Sequence, residues 1–327
     1  MTFRLPADSQ LTFLLMVNVL IVVLATAFSK GQFVGVDNLQ SMAGQVPELG
    51  LLAIGVMLTM ISGNGGIDLS GAALANLCGV AAALASRLLF SPDLSPGAYA
   101  SAFVALALLV GLLGGLCNGV LIARFGLTPI LATLGTQLLF TGVAVVLSNG
   151  STVRMGHVEA LAAIGNEVVL GVPISFLIFV SAVVVLALVL KRSAFGVSLY
   201  LLGTNSKAAR YSGIPLPRML ITTYAISGGL ASLAGIIIAS RTASVKWDYG
   251  SSYLLITILI AVMAGIRPAG GYGRMSCLFF SATALQVLSS SFNLAGISNF
   301  FRDCAWGLLL LLFLASSGFD VKRWLRR

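Results

Sequence analysis

The chain has 327 residues, 58% of them hydrophobic and only 9% charged, with a mean hydropathy of +1.02 and a formal net charge of +9. Soluble globular domains carry about 25% charged residues, so this composition excludes that class and points to a membrane-embedded chain. The cationic excess then reads as the bias of cytoplasmic loops in membrane proteins, with no nucleic-acid partner implied.

Glycine, proline and charged clusters cut the sequence into about ten apolar segments, near residues 11–29, 47–62, 69–90, 98–123, 129–148, 172–190, 219–240, 252–266, 275–292 and 304–317. They recur along the whole length, so residues 1–327 read as a single transmembrane domain. The fold class expected is all-α: a polytopic integral membrane protein with some helices broken. The first segment ends in Phe28-Ser29-Lys30 without a small-residue cleavage site and reads as a retained span. Segments 47–62 and 252–266 are short; they are either half-helices or gain length from polar neighbours.

Between the second and third segments, Ser62 to Ser70 reads SGNGGIDLS. Three glycines favour an unwound turn, so a broken or re-entrant helix is expected. Asp68 is either a functional carboxylate at membrane depth or, with Ser70, a cap for the following helix. Further on, Gly111, Gly114, Gly115 and Gly119 share one helix face, and Gly228, Gly229, Ser232 and Gly235 form another small face; both favour close helix packing. On the 129–148 segment, Thr133, Gln137 and Thr141 recur every four residues, with Thr136 beside them and Asn118 on the preceding span. They either line a wet path for a hydroxylated ligand or bond between helices. Asp68, Asn118, Thr133 and Gln137 are the translocation-path candidates.

His157, the sole histidine, reads as a loop residue. No phosphate loop, GxSxG serine or CxxC pair is present, so no catalytic residue, metal or cofactor is expected. Cys78, Cys117, Cys277 and Cys304 read as small packing residues.

Residues 191–218 form a polar break with five cations (Lys191, Arg192, Lys207, Arg210, Arg218) and no carboxylate, which biases it to the cytoplasm. Leu199 to Ile214 reads as one short amphipathic helix ending at Gly213. With this loop inside, Arg4, Arg124, Arg267, Arg274, Lys322, Arg323, Arg326 and Arg327 join it, making 13 of the 19 Lys and Arg. Lys30, Arg87, Arg154, Arg241, Lys246 and Arg302, the other 6, fall outside with seven acids, Asp37, Glu48, Asp93, Glu159, Glu167, Asp248 and Asp303. An even number of crossings and two cytoplasmic termini follow.

Four stretches together, Gly65 to Ser70, Gly115 to Thr136, Arg192 to Ile214 and Ile226 to Arg241, resemble the permease subunits of ribose-type, simple-sugar ATP-binding-cassette importers, within the branched-chain amino acid/ribose binding-protein-dependent permease family. The resemblance covers about Leu49 to Leu314. Its most specific part is G-x-N-x-x-A-A-x-x-S-G-I, carried by Gly203, Asn205, Ala208, Ala209, Ser212, Gly213 and Ile214. The resemblance implies that 191–218 is the cytoplasmic coupling segment, docking a cytosolic ATP-binding-cassette ATPase. It further implies a periplasmic substrate-binding protein, a second permease subunit in a homo- or heterodimer, a small sugar-like substrate, and a place in the bacterial inner membrane. The chain departs from the family at Ser70-Gly71-Ala72-Ala73, where V-G-S is usual, and at Ala264, Arg267 and Arg274 of AGIRPAGGYGR. The rival reading, an ion-coupled secondary transporter, calls for ionisable pairs buried mid-span. By sequence Asp68 stands nearly alone, with no cation partner deep in a span.

Overall fold

The computed structural model describes residues 9–156 and 158–318. His157, Arg4 and the basic tail Lys322 to Arg327 lie outside the described residues, and so does the expected position of the two termini.

Thirteen helices follow one another among the described residues: α1 Ser9–Phe28, α2 Val36–Ile61, α3 Gly71–Leu89, α4 Pro96–Ala123, α5 Pro129–Ser148, α6 Glu159–Asn166, α7 Ile174–Arg192, α8 Ala194–Thr204, α9 Ser206–Tyr211, α10 Leu216–Thr242, α11 Tyr253–Met263, α12 Met275–Leu294 and α13 Asn299–Gly318. The only strands among them are two-residue pairs: β1 Val153–Arg154 with β4 Ser244–Val245, and β2 Val168–Val169 with β3 Val172–Pro173. Eight helices, α1 to α5, α7, α10 and α12, are long and apolar enough to cross a membrane. The protein is therefore an all-α polytopic membrane protein.

Three of the ten expected segments depart from simple spans, the 304–317 segment because its helix, α13, is not among these eight. The 47–62 segment gains length: α2 starts at Val36 and runs straight through Pro47. Its polar first half is held by α12, where Ser290 Oγ donates to Asn38 Oδ1 at 2.9 Å and Gln286 Nε2 donates to Gln45 Oε1 at 3.2 Å. The 252–266 segment is the 11-residue α11. At 1.5 Å per residue it reaches about 16 Å, half of a hydrocarbon core of about 30 Å.

α2 and α10 form the centre of the bundle, with 89% and 67% of their apolar windows buried; α1 and α7, at 11% and 17%, lie on its periphery. The two small faces read from the sequence meet each other. A Cβ on Gly115 of α4 would stand 2.2 Å from the Tyr224 carbonyl of α10, and one on Gly228 would stand 2.1 Å from the Gly111 carbonyl. Backbone approach of this kind replaces side-chain packing where hydrocarbon gives helices no hydrophobic drive to associate.

The bundle has two distinct ends. At one, the Gly271 amide donates to the Ile61 carbonyl at 3.0 Å, and Gly203 of α8 is wedged between them: an added Cβ would lie 1.9 Å from Ile61 O and 2.4 Å from Gly271 N. The C-terminus of α2, the C-terminus of α8 and the α11–α12 loop are thereby locked together. At the other end, β1 pairs with β4 and Asn166 of α6 donates to the Ser240 carbonyl of α10 at 3.2 Å. Arg154 and Arg241 share this second end.

Candidate functional site

The 62–70 turn folds back into the bundle. Gly63, Asn64 and Gly65 take consecutive positive φ of 80°, 55° and 67°, a left-handed run that glycine and asparagine tolerate best. A Cβ on Gly66 would meet the Thr59 carbonyl at 2.2 Å, so the chain returns hard against the last turns of α2.

This return buries Asp68 to 4% exposure. Its Oδ1 accepts from the Ser70 amide at 3.0 Å and the Ser70 hydroxyl at 2.7 Å, and its Oδ2 accepts from Ser227 Oγ of α10 at 2.7 Å. Asn118 Nδ2 of α4 donates to Ser70 Oγ at 2.8 Å, and Thr136 Oγ1 of α5 donates to Asn118 Oδ1 at 2.6 Å. Thr133 Oγ1 donates to the Ile67 carbonyl at 3.1 Å. Ser70 occupies the N-cap of α3 but makes no side-chain capping bond; its hydroxyl goes to Asp68 instead. The network ties the turn to α3, α4, α5 and α10. Beside it lies a space of about 10 Å³, bounded by Leu52, Val56, Asp68, Ser227 and Thr257, at the lower limit for one water.

Three of the four path candidates, Asp68, Asn118 and Thr133, thus come together, and Gln137 does not. The buried stripe of α5 is Thr133, Thr136, Phe140, Ala144 and Ser148, while Gln137 and Thr141 are half-buried to one side. Thr136, not Gln137, completes the hydrogen-bond chain. The tertiary partner Asn118 selects Thr136, three residues after Thr133, rather than Gln137, four residues after it, because a helix repeats every 3.6 residues.

The segment 191–218 is two helices rather than the single one expected over Leu199 to Ile214. Asn205, with φ −156° and ψ 98°, breaks the helix and caps the next: its Oδ1 accepts from the Ala208 amide at 3.0 Å. Asparagine competes with its own backbone for hydrogen bonds and so favours such caps. α9 exposes Lys207, Ala208, Arg210 and Tyr211, the tyrosine to 93%, while Ala209 is buried at 3%. Gly213, at φ 80°, closes α9, with Ser212 exposed before it and Ile214 half-buried after it. The motif therefore divides: Ala208, Ser212 and Gly213 face outward, Asn205 shapes the break, and Gly203 and Ala209 pack inside the chain.

A second buried carboxylate was missed by sequence. Glu48, placed among the outside acids, lies in the middle of α2 at 2% exposure and is ion-paired with Arg241 of α10. This pair corrects the reading in which Asp68 stood nearly alone with no cation partner deep in a span: α2 starts at Val36, eleven residues before the expected 47, and carries Glu48 into the bundle opposite Arg241. Tyr253 Oη donates to Glu48 Oε2 at 2.9 Å, and Tyr249 Oη approaches the same oxygen at 3.4 Å. Burial, and then the adjacent carboxylate, push the Tyr249 phenol above its ordinary value. The pair borders a cavity of about 360 Å³ between α2, α11, α12 and α13.

The chain matches the family described as branched-chain amino acid transport system / permease component over residues 38–315. It is 31% identical to an autoinducer 2 import system permease protein LsrD of Yersinia enterocolitica over 289 residues, 84% of this chain and 85% of the relative. The LsrD of Photorhabdus luminescens is 29% identical, with 84% of each chain covered. Among solved structures, an ABC transporter of the metal-chelate type in an inward-facing conformation aligns over 86% of this chain and 88% of its own, at 15% identity and a TM-score of 0.47. The chain belongs to the family of branched-chain amino acid transport system permease components, and is a multi-pass protein of the bacterial inner membrane.

Proposed function

We propose that this permease moves a small polyhydroxylated solute into the cytoplasm, with residues 1–327 acting as one transmembrane unit and 191–218 as its coupling segment. Permeases of this kind work with an ATPase and a binding protein. The solute class follows the relatives named for autoinducer 2 import, whose cargo fits the sugar-like substrate expected from the motifs. A second permease subunit, identical or related, completes the assembly in this reading, with both termini and the Lys191–Arg218 and Arg267–Arg274 loops facing the cytoplasm.

The observation that carries the coupling role is the placement of α8 and α9. α9 offers two cations and an exposed tyrosine at the surface, while Gly203 of α8 is packed without space against Ile61 and Gly271. Movement imposed on α9 by a nucleotide-dependent partner reaches α2 directly, because neither junction can absorb it by side-chain compression. α2 leads at its C-terminus to the Asp68 turn and holds Glu48 at mid-length. In this reading Asp68, Asn118 and Thr133 form the fixed polar centre beside the path, and Gln137 lies on its margin. Each nucleotide state then biases one facing of the path through differential contacts.

Ala208→Glu tests this. Ala209, buried within the chain, is unsuitable, since a carboxylate there would disrupt the permease itself. Ala208→Glu should insert and fold normally yet lose co-purification of the ATPase and ATP-driven uptake in proteoliposomes. Wild-type ATPase binding and uptake in that variant would remove the coupling assignment.

A further inference from the structure

We propose that the cavity between α2, α11, α12 and α13 is a reception site for a neutral, polyhydroxylated solute. The inference rests on the importer reading and on the orientation that puts this end of the bundle outside. With a volume of about 360 Å³, the cavity falls at the small end of the roughly 300–1,000 Å³ typical of ligand sites. That suits a molecule of monosaccharide size.

Charge selects the class. The lining holds Glu48 and Asp303 against Arg241 and Arg302, two of each sign. The balanced lining offers a phosphorylated or amino sugar no net opposite charge, whereas a neutral polyol finds both acceptors and donors. The charges are held in place: Glu48 by Arg241 and Tyr253, Asp303 by Ser252 Oγ at 3.2 Å, and Arg302 by Asn293 Oδ1 at 2.7 Å. Preorganisation of this kind lowers the ordering cost of binding. Gln45 and Gln286 add amides that both donate and accept. Trp306, 7% exposed, adds an aromatic side chain to the cavity wall.

The position fits a path. Glu48, Leu49 and Ile256 line this cavity, and Leu52, Val56 and Thr257 line the small space beside Asp68. On α2 the two linings are successive stretches of one helix face, and on α11 they lie on adjacent faces, Tyr253 and Ile256 toward the outer cavity and Leu254 and Thr257 toward the inner space. Along α2, Leu49 of the outer cavity and Leu52 of the inner space are about one helical turn apart.

The test uses the full chain in nanodiscs, carrying Ser289→Cys as a reporter in the cavity wall. The rate of labelling by a membrane-impermeant maleimide is read at that position by peptide mass spectrometry. Ribose and glucose, at twice their dissociation constant, should slow labelling about threefold, since two-thirds of sites are then filled. Ribose 5-phosphate and glucosamine should not slow it, and Glu48→Gln or Gln286→Leu in the reporter chain should abolish the protection. Unchanged labelling with both neutral sugars, equal protection by the charged ones, or full protection in both variants would overturn the proposal. ATP-driven sugar uptake without protection defeats this inference alone; protection without uptake leaves it standing and defeats the importer reading.

Discussion

Asp68 and Glu48 are carboxylates in the same bundle, 4% and 2% exposed, yet they are held in opposite ways. Asp68 has no cation beside it among its hydrogen-bond partners: an amide and two hydroxyls take its oxygens, and the neighbouring space admits at most a single water. Glu48 is matched by a cation and a tyrosine, and it borders a cavity of about 360 Å³. A carboxylate held by three short neutral donors from two elements is a fastening, because both of its oxygens are committed to keeping helices in register. A carboxylate balanced by a guanidinium at a cavity wall is a surface on which partners can be exchanged. The two sites therefore differ in what they can do, although burial alone would rank them together.

The largest effect separating them should come from Asp68→Leu. The Ser70 amide, the Ser70 hydroxyl and Ser227 would each lose their acceptor, and an unsatisfied buried donor costs about 1–3 kcal/mol. With relief from no longer burying a charge, the net loss should be about 3 kcal/mol, read as a lowered unfolding midpoint of the purified permease in detergent. A variant as stable as the wild type would show that Asp68 is not a fastening.

A smaller and reversible effect is expected at the other site. Arg241→Met leaves Glu48 with tyrosine donors alone and should cost about 2 kcal/mol, below the 3–5 kcal/mol of a fully buried broken pair because Arg241 keeps 24% side-chain exposure. Adding Glu48→Gln to the same chain should restore most of the loss, since the uncompensated charge is then gone. For Asp68→Leu a second substitution such as Ser227→Ala can remove an orphaned hydroxyl, but the Ser70 amide stays without its acceptor. If the double variant is no more stable than Arg241→Met, the pair is not acting as balanced charges.

How far the sequence exposed this arrangement depended on whether a feature was local. The SGNGGIDLS turn, the facing glycines of α4 and α10 and the polar break at 191–218 are all written in contiguous residues, and the first two appear where they were expected. Glu48 was hidden because the apolar segment was bounded at 47, which left Glu48 at its outer edge. α2 continues through Pro47 only because Asn38 and Gln45 find partners on α12, more than two hundred residues away. The division of α8 from α9 at Asn205 was readable in principle, since asparagine followed by Ser-Lys-Ala is a cap signature. The place of Thr136 in the Asp68 network was not readable, because the choice of Thr136 over Gln137 is made by Asn118 on another helix. Long-range polar partners decide these positions, and apolar periodicity carries no record of them.

The smallest expected effect tests whether the Asp68 fastening is complete. Tyr224 of α10 is fully buried, and its hydroxyl has no hydrogen-bond partner among the described residues. Ser227, one turn along the same helix, already supplies the donor that Asp68 Oδ2 receives. The hydroxyl of Tyr224 is then surplus, and removing an unsatisfied buried polar group is neutral or stabilising. Tyr224→Phe, which keeps the ring in its contacts with Ile122 and Ala132, should leave stability unchanged or raise it by up to about 1 kcal/mol. A loss of comparable size would mean that the phenol donates through a water to the Asp68 network. The carboxylate would then have an exchangeable partner after all, and the contrast with Glu48 would narrow to the presence of Arg241.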